Sequence, residues 1–403
     1  MDFNLIVFLL LVLPLCFTWV YIKFHGSLFN LGVFFNAYSI LYFFVGLNLY
    51  KYNILGGYVT SDLVKVAWLS LVGIVSFNVF YSAFSLVFKS KTENHDSYKN
   101  IPSFNSILLL FSLGVLAQLF IIAKVGPFNF FFIDRLDRFP IMKQYQHIVF
   151  IAKVSNIALI FALARYFYVQ EWRDKALARV ILAYNLFFAI MLISRSELAF
   201  TFIALFYFLE KTGKVRTKTI IIIGICMALL MFSYKGILYI YILGDQDYGT
   251  FNPGEFINWI RNTLLLFDSK ITPESLPNNS YLLALEGVLN PSPSGVPLSE
   301  WFIQYFYPNK VVSGLTYGFS GVVEGYLYLK EFGVMIHFLI IAFIFSIIER
   351  KQSILSTALT ICALFIMFRL FRSEIYNFTR TFIWYYFYQI IVFYFADKVL
   401  KKV

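Results

Sequence analysis

The apolar positions of this chain fall into long runs, not into narrow stripes. Runs recur at 3–22, 28–49, 63–88, 105–123, 148–169, 180–193, 197–210, 219–234, 332–348, 354–371 and 379–396. About 18 or more apolar residues with few charges are long enough to cross a bilayer as a helix. The pattern therefore predicts an all-α fold: a polytopic integral membrane helical bundle with about 11 (10–12) transmembrane helices. The first run has neither a basic start nor a small-residue cleavage site, so it reads as a retained span.

Between 234 and 332 the pattern changes. Roughly 95 residues are mostly hydrophilic and carry turn-forming clusters such as Gly244-Asp245-Gln246-Asp247 and Pro291-Ser292-Pro293-Ser294-Gly295. Asp245 and Asp247 fit such a turn better than a cation site. Within this stretch, 255–267 and 281–289 read as short amphipathic helices. The expected organisation is one membrane domain, 1–403, with outer loops at 124–147 and 235–331.

Charge then orients the spans. Short basic clusters at 89–99, 171–179, 211–218 and 349–353, and the tail from Asp397, fall on one side of the predicted membrane. Lys and Arg accumulate in cytoplasmic loops, so that side and the C-terminus are predicted to be cytoplasmic. Basic clusters flank 180–210 at both ends, so the chain must enter and return within it. Each arm of about 14 residues spans ~21 Å against a ~30 Å core. The turn at Ser194-Arg195-Ser196-Glu197 is therefore expected below the outer surface. Lys153 and Arg165, near the ends of one span, are expected to snorkel toward water.

Composition agrees with a membrane protein. Hydrophobic residues make up 60% of the 403 and charged residues 14%, where a soluble domain carries about 25% charged. The net charge of +11 is more than the cytoplasmic clusters require. Arg135, Arg138, Arg195, Arg261, Arg369, Arg372 and Arg380 all fall on the predicted outer side, with Lys143, Lys235, Lys270, Lys310 and Lys330. Arg195 and Arg369 sit at or within the apolar slab, where ionised groups are expensive and face a partner or a cavity.

Arg-Ser-Glu occurs twice, at 195–197 and 372–374. Two readings stand side by side. In one, each copy is an ion pair locking a helix end. In the other, the arginines bind an anion bidentately while Glu197 and Glu374 orient them. Under the second reading Arg195 and Arg372 would share one pyrophosphate with Arg369. Trp301, Tyr305, Tyr307 and Tyr326 are candidates for stacking on sugar rings. Cys16, Cys226 and Cys362 lie singly in apolar runs, and the four histidines are far apart, so no metal-ligand spacing is present. P-loop, nucleophile-elbow and zinc-protease motifs are absent.

Thr316-Tyr317-Gly318-Phe319-Ser320, then Glu324-Gly325-Tyr326, then Phe332-Gly333 opening a span, form a stretch that resembles the Wzy-type O-antigen and capsule repeat-unit polymerases. Ser194-Arg195-Ser196-Glu197 between apolar runs, and one large late outer loop, are similar too. The resemblance implies a metal-independent glycosyltransferase with no cofactor, in the bacterial inner membrane with its site facing the periplasm. It would transfer a growing glycan from undecaprenyl pyrophosphate to another lipid-linked repeat unit. Implied partners are that donor and acceptor, membrane lipid, a chain-length-regulating co-polymerase (Wzz type) and a flippase (Wzx type), with no nucleic acid. In this reading Glu324 is the general base, ahead of Glu197 and Glu374. Arg195 and Arg372 take the charge of the leaving group. Arg135, Arg138, Glu197, Arg261, Tyr326, Arg369, Glu374 and Arg380 bind substrate. An O-antigen ligase shares the layout and donor, but its large loop carries a functional histidine and 235–332 has none. A lipid-linked-sugar transporter would explain membrane arginines but not so large an outer loop.

Overall fold

The computed structural model of the protein describes residues 2–88, 100–127, 130, 144–192, 194–224, 226, 254–269, 271, 276, 279–290, 295–308, 320–350 and 353–401. Every regular element among them is helical. In chain order the first seven are α1 (Phe3–His25), α2 (Leu31–Asn53), α3 (Ser61–Phe88), α4 (Phe104–Val125), α5 (His147–Tyr168), α6 (Trp172–Met191) and α7 (Arg195–Lys211). Three short helices follow, α8 (Gly254–Asp268), α9 (Ser280–Leu289) and α10 (Leu298–Phe306). The last four are α11 (Gly321–Glu349), α12 (Ile354–Phe371), α13 (Ile375–Phe382) and α14 (Tyr388–Leu400).

Seven of these are long and apolar enough to cross a membrane: α1 to α5, α11 and α12. The protein is thus a helical membrane protein by the length and composition of its helices. The runs expected at 180–193, 197–210 and 379–396 are also helical but are not among these seven. The basic residues Arg173, Lys175 and Arg179 form the first turns of α6 itself, so that helix has 20 residues and not 14. Good helix formers such as Ala, Leu, Lys and Arg allow this. Its partner α7 has 17. In the last run α13 and α14 are joined without a break by a π-helical turn at Ile383–Phe387. Most of 219–234 lies outside the described residues.

The helices pack as two compact units, the first from 1–91, 252–351 and 366–381, the second from 92–251, 352–365 and 382–403. In the first, α3 lies along α11, and α1 and α2 pack on α3. The core is aromatic: Phe35 stacks on Phe77 and meets Phe338 and Phe371 edge-on or tilted, while Phe43 meets Trp259 of α8. Polar groups between these helices satisfy one another, as a water-free interior requires. The Asn36 and Asn78 amides exchange hydrogen bonds (3.0 and 2.9 Å). Glu349 accepts from the Leu31 amide (2.8 Å), Asn30 (3.0 Å) and the Tyr81 hydroxyl.

Within α11 the chain reverses. Leu329 and Lys330 leave helical geometry, Lys330 with φ +54°. Gly321 then lies beside His337 and Gly325 against Gly333, pairs symmetric about residue 329. The short arm 321–328 therefore runs antiparallel to the expected span at 332–348. A Cβ on Gly325 would meet the Gly333 carbonyl oxygen at 2.7 Å, so this backbone contact requires glycine.

In the second unit α5 packs against α4, α6 and α7. Both cations of α5 are paired. Arg165 forks onto Asp174 (2.6 and 3.1 Å) and donates to the Pro102 carbonyl (3.1 Å). Lys153 bridges to Glu197.

Candidate functional site

The residues that chemistry could use gather in the first unit, where α12 breaks. Its last turn tightens to a 3-10 helix, Met367–Phe371, and Arg372 caps that turn with φ −138°. Glu374 then starts α13, its carbonyl accepting from the Asn377 amide (3.1 Å). A helix start exposes amide groups that need acceptors. The Glu324 carboxylate supplies one: its Oε2 accepts from the Ile375 amide at 2.8 Å, across 51 residues of sequence. Negative charge is favoured at this position by the helix dipole.

Glu374 itself turns toward α10. Its Oε2 accepts from the Ser299 amide (3.0 Å) and its Oε1 from the Ser299 hydroxyl (2.8 Å) and Asn377 Nδ2 (2.9 Å). These donors are neutral, and the carboxyl is wholly buried. Burial raises its pKa to about 7, against the lowering effect of the Ser299 bonds. A carboxyl poised there can take or give a proton at neutral pH.

A third arm reaches the same cluster. The Tyr281 hydroxyl of α9 is 2.9 Å from His337 Nδ1, which lies 3.9 Å from Glu324 Oε2. Among the described residues His337 Nε2 has no hydrogen-bond partner, and it faces Gly321. Burial, then the charge of Glu324, raise the pKa of the Tyr281 hydroxyl. Tyr376 of α13 packs on Gly287 of α9 and interacts with Arg380.

The expected site residues divide as follows. Glu324, Arg372, Arg261, Tyr326, Arg369, Glu374 and Arg380 belong to the first unit, and Arg195 and Glu197 to the second. Arg369 and Arg372 are half-buried, their guanidinium groups 5.8 and 5.2 Å from the Phe368 ring. Arg261 is exposed on α8. Tyr326 has its ring against Phe267 and under the Lys65 ammonium, 4.5 Å from the centroid. Glu324, expected in an open outer loop, is a buried helical residue. Glu197, expected to orient Arg195, instead holds Lys153 and accepts from Asn156 (2.9 Å). Arg135 and Arg138 lie outside the described residues, as do Asp245 and Asp247.

Ser299, Asn377, Tyr281 and His337 were missed by the sequence reading. Only His337 carried a signal: it follows Gly333 by four residues, mirroring the Gly321–Gly325 spacing across the reversal. No family model matches the chain, and no curated protein or solved structure matches it at a significant level.

Proposed function

We propose that this chain is a membrane glycosyltransferase that polymerises lipid-pyrophosphate-linked oligosaccharide repeat units into a surface polysaccharide. One observation carries the reading. A break in an apolar helix gathers Arg369, Arg372 and Glu374 within six residues, in the same unit as Glu324 and the short helices α8 to α10. Charges at such a break are costly unless they serve a partner or a ligand.

The acceptor hydroxyl takes the place of the Ser299 hydroxyl on Glu374 and gives up its proton to that carboxylate. Its oxygen attacks the anomeric carbon of the donor. The bond from that carbon to the phosphate oxygen breaks, and pyrophosphate leaves on its lipid with the electron pair. Arg369 and Arg372 receive the negative charge that develops, preorganised where it appears. Glu324 holds the start of α13, and with it Glu374, in place. Trp301 and Tyr305 stack on each other at 5.4 Å, with Tyr305 exposed, and offer a face to the acceptor sugar.

A second reading, transfer of the finished glycan to a different acceptor as in the ligases, is favoured by His337 beside Glu324. The two separate on one gel. Deletion of the gene in its host is expected to leave a single repeat unit on the polysaccharide anchor. Complete loss of repeat units would support the ligase reading. An unchanged ladder would remove both.

A further inference from the structure

The second unit holds a groove that the proposed chemistry does not use. It is an open cleft of about 200 Å³ between α5, α6 and α7. Its floor is apolar, built by Leu163, Leu182, Leu205 and Leu209. Two cations close its rim, Arg179 from α6 and Lys214 from the turn after α7. Both are exposed. The Lys214 ammonium lies 4.8 Å from the Phe167 ring and 5.7 Å from that of Tyr166, which also line the groove. The aromatic faces hold the charge at the mouth.

This combination selects an occupant. An apolar floor takes hydrocarbon, and paired cations at one end take an anion attached to it. The acidic side chains at the start of α6 do not compete, because Asp174 is held by Arg165 and Glu171 by Arg173. The positive-inside bias assigns this end to the cytoplasmic face, and basic pockets between membrane helices on that face bind acidic lipid headgroups. We propose that the groove is a binding site for an anionic phospholipid, with its phosphate between Arg179 and Lys214 and one acyl chain along the four leucines.

The test uses the full chain purified in detergent, with native mass spectrometry reading bound lipid. Dioleoyl phosphatidylglycerol, dioleoyl phosphatidylcholine and inorganic phosphate are added separately. The wild type is expected to hold phosphatidylglycerol about tenfold or more tightly than phosphatidylcholine, as two surface cations allow. Arg179→Gln with Lys214→Gln should abolish that preference. Lys211→Gln with Lys218→Gln, the same charge change away from the groove, should keep it. Leu205→Trp, which fills the floor, should weaken both lipids. Lys214→Gln alone, in an exposed turn, gives a partial loss should the double variant fail to assemble. The proposal is overturned by an undiminished preference in the double variant or in Lys214→Gln. It is also overturned by equal retention of the two lipids, or by inorganic phosphate displacing phosphatidylglycerol, which would make this a site for a free anion.

Discussion

The same tripeptide, Arg-Ser-Glu, forms the first turn of α7 in one unit and immediately precedes α13 in the other, and its two glutamates have opposite surroundings. Glu197 meets a cation, Lys153, and an amide donor from Asn156, both on α5. Glu374 meets only neutral donors and is fully buried, which raises its pKa to about 7. The first is an ion pair that ties α7 to α5. The second is a carboxyl able to change its protonation state near neutrality. The tripeptide is shared, but its place relative to the helix and the elements that fold back on it differ. Replacing each glutamate should therefore break different things.

The largest effect is expected for Glu374→Gln. Glutamine keeps the shape but cannot accept a proton, so chain polymerisation should fall by a factor of about 10² or more with the protein still assembled. Glu197→Gln should do the reverse. It leaves Lys153 without its charge partner, at a cost of about 1–3 kcal/mol, reduced by that lysine's partial exposure, while product length stays near normal. Surface-polysaccharide gels and thermal unfolding in detergent measure both. Near-normal ladders in Glu374→Gln would take this carboxyl out of the chemistry.

The arginines sharpen the contrast. Arg372→Lys keeps the charge over the Phe368 ring but loses the planar fork that grips a pyrophosphate. Long-chain product should fall about tenfold or more. Arg195→Lys should have a smaller effect if the chemistry resides in the first unit. Equal losses would return to the shared-anion expectation for the two tripeptides.

Burial of Glu374 also has a stability consequence with a definite sign. A carboxyl whose folded pKa is raised favours the folded state while it is protonated. Its contribution is full below 4.5, the value in the unfolded chain, and is lost as pH rises through about 7. The thermal midpoint of the wild type should fall between pH 5 and pH 8, by the equivalent of about 1–3 kcal/mol. The groups facing Glu374 from its neighbours are Leu298, Ser299 and Glu300 of α10 and Tyr376 and Asn377 of α13. The Glu300 charge acts in the same direction as burial. Glu374→Gln should flatten the profile. A slope unchanged in that variant would assign the effect to other groups.

Much of the fold was legible because hydrocarbon leaves few choices. The apolar runs marked the crossing helices within a few residues, and the helices expected at 255–267 and 281–289 occur at Gly254–Asp268 and Ser280–Leu289. What could not be read depends on contacts across the chain. The reversal at Leu329 and Lys330 is set by Gly325 meeting Gly333, not by a turn-forming residue at the bend. Helix α10 has nine residues after a proline-rich stretch, too short for periodicity to declare it. Yet it delivers Ser299 to Glu374 over 75 positions. Lys153 and Glu197 were each noticed, but nothing local joins residues 44 apart. Charge in an apolar run signals that a partner exists without saying which.

The smallest expected effect concerns the link from α9 to the cluster. Tyr281 gives His337 its hydrogen bond at Nδ1, and Nε2 has no partner among the described residues. Whichever tautomer is present, Tyr281→Phe therefore leaves a buried imidazole with neither nitrogen hydrogen-bonded to a side chain of α9. Such a loss costs about 1 kcal/mol net, and up to about 3 where the orphaned group stays dry. The contribution belongs to the pair, so a double-mutant cycle isolates it. Tyr281→Phe should destabilise the wild type by about 1 kcal/mol and the His337→Phe variant by much less, because the bond is already gone there. Tyr281 also packs edge-on against Tyr328, a contact that phenylalanine keeps, so packing does not mask the result. If the two backgrounds lose equal stability, the Tyr281 hydroxyl serves something other than His337.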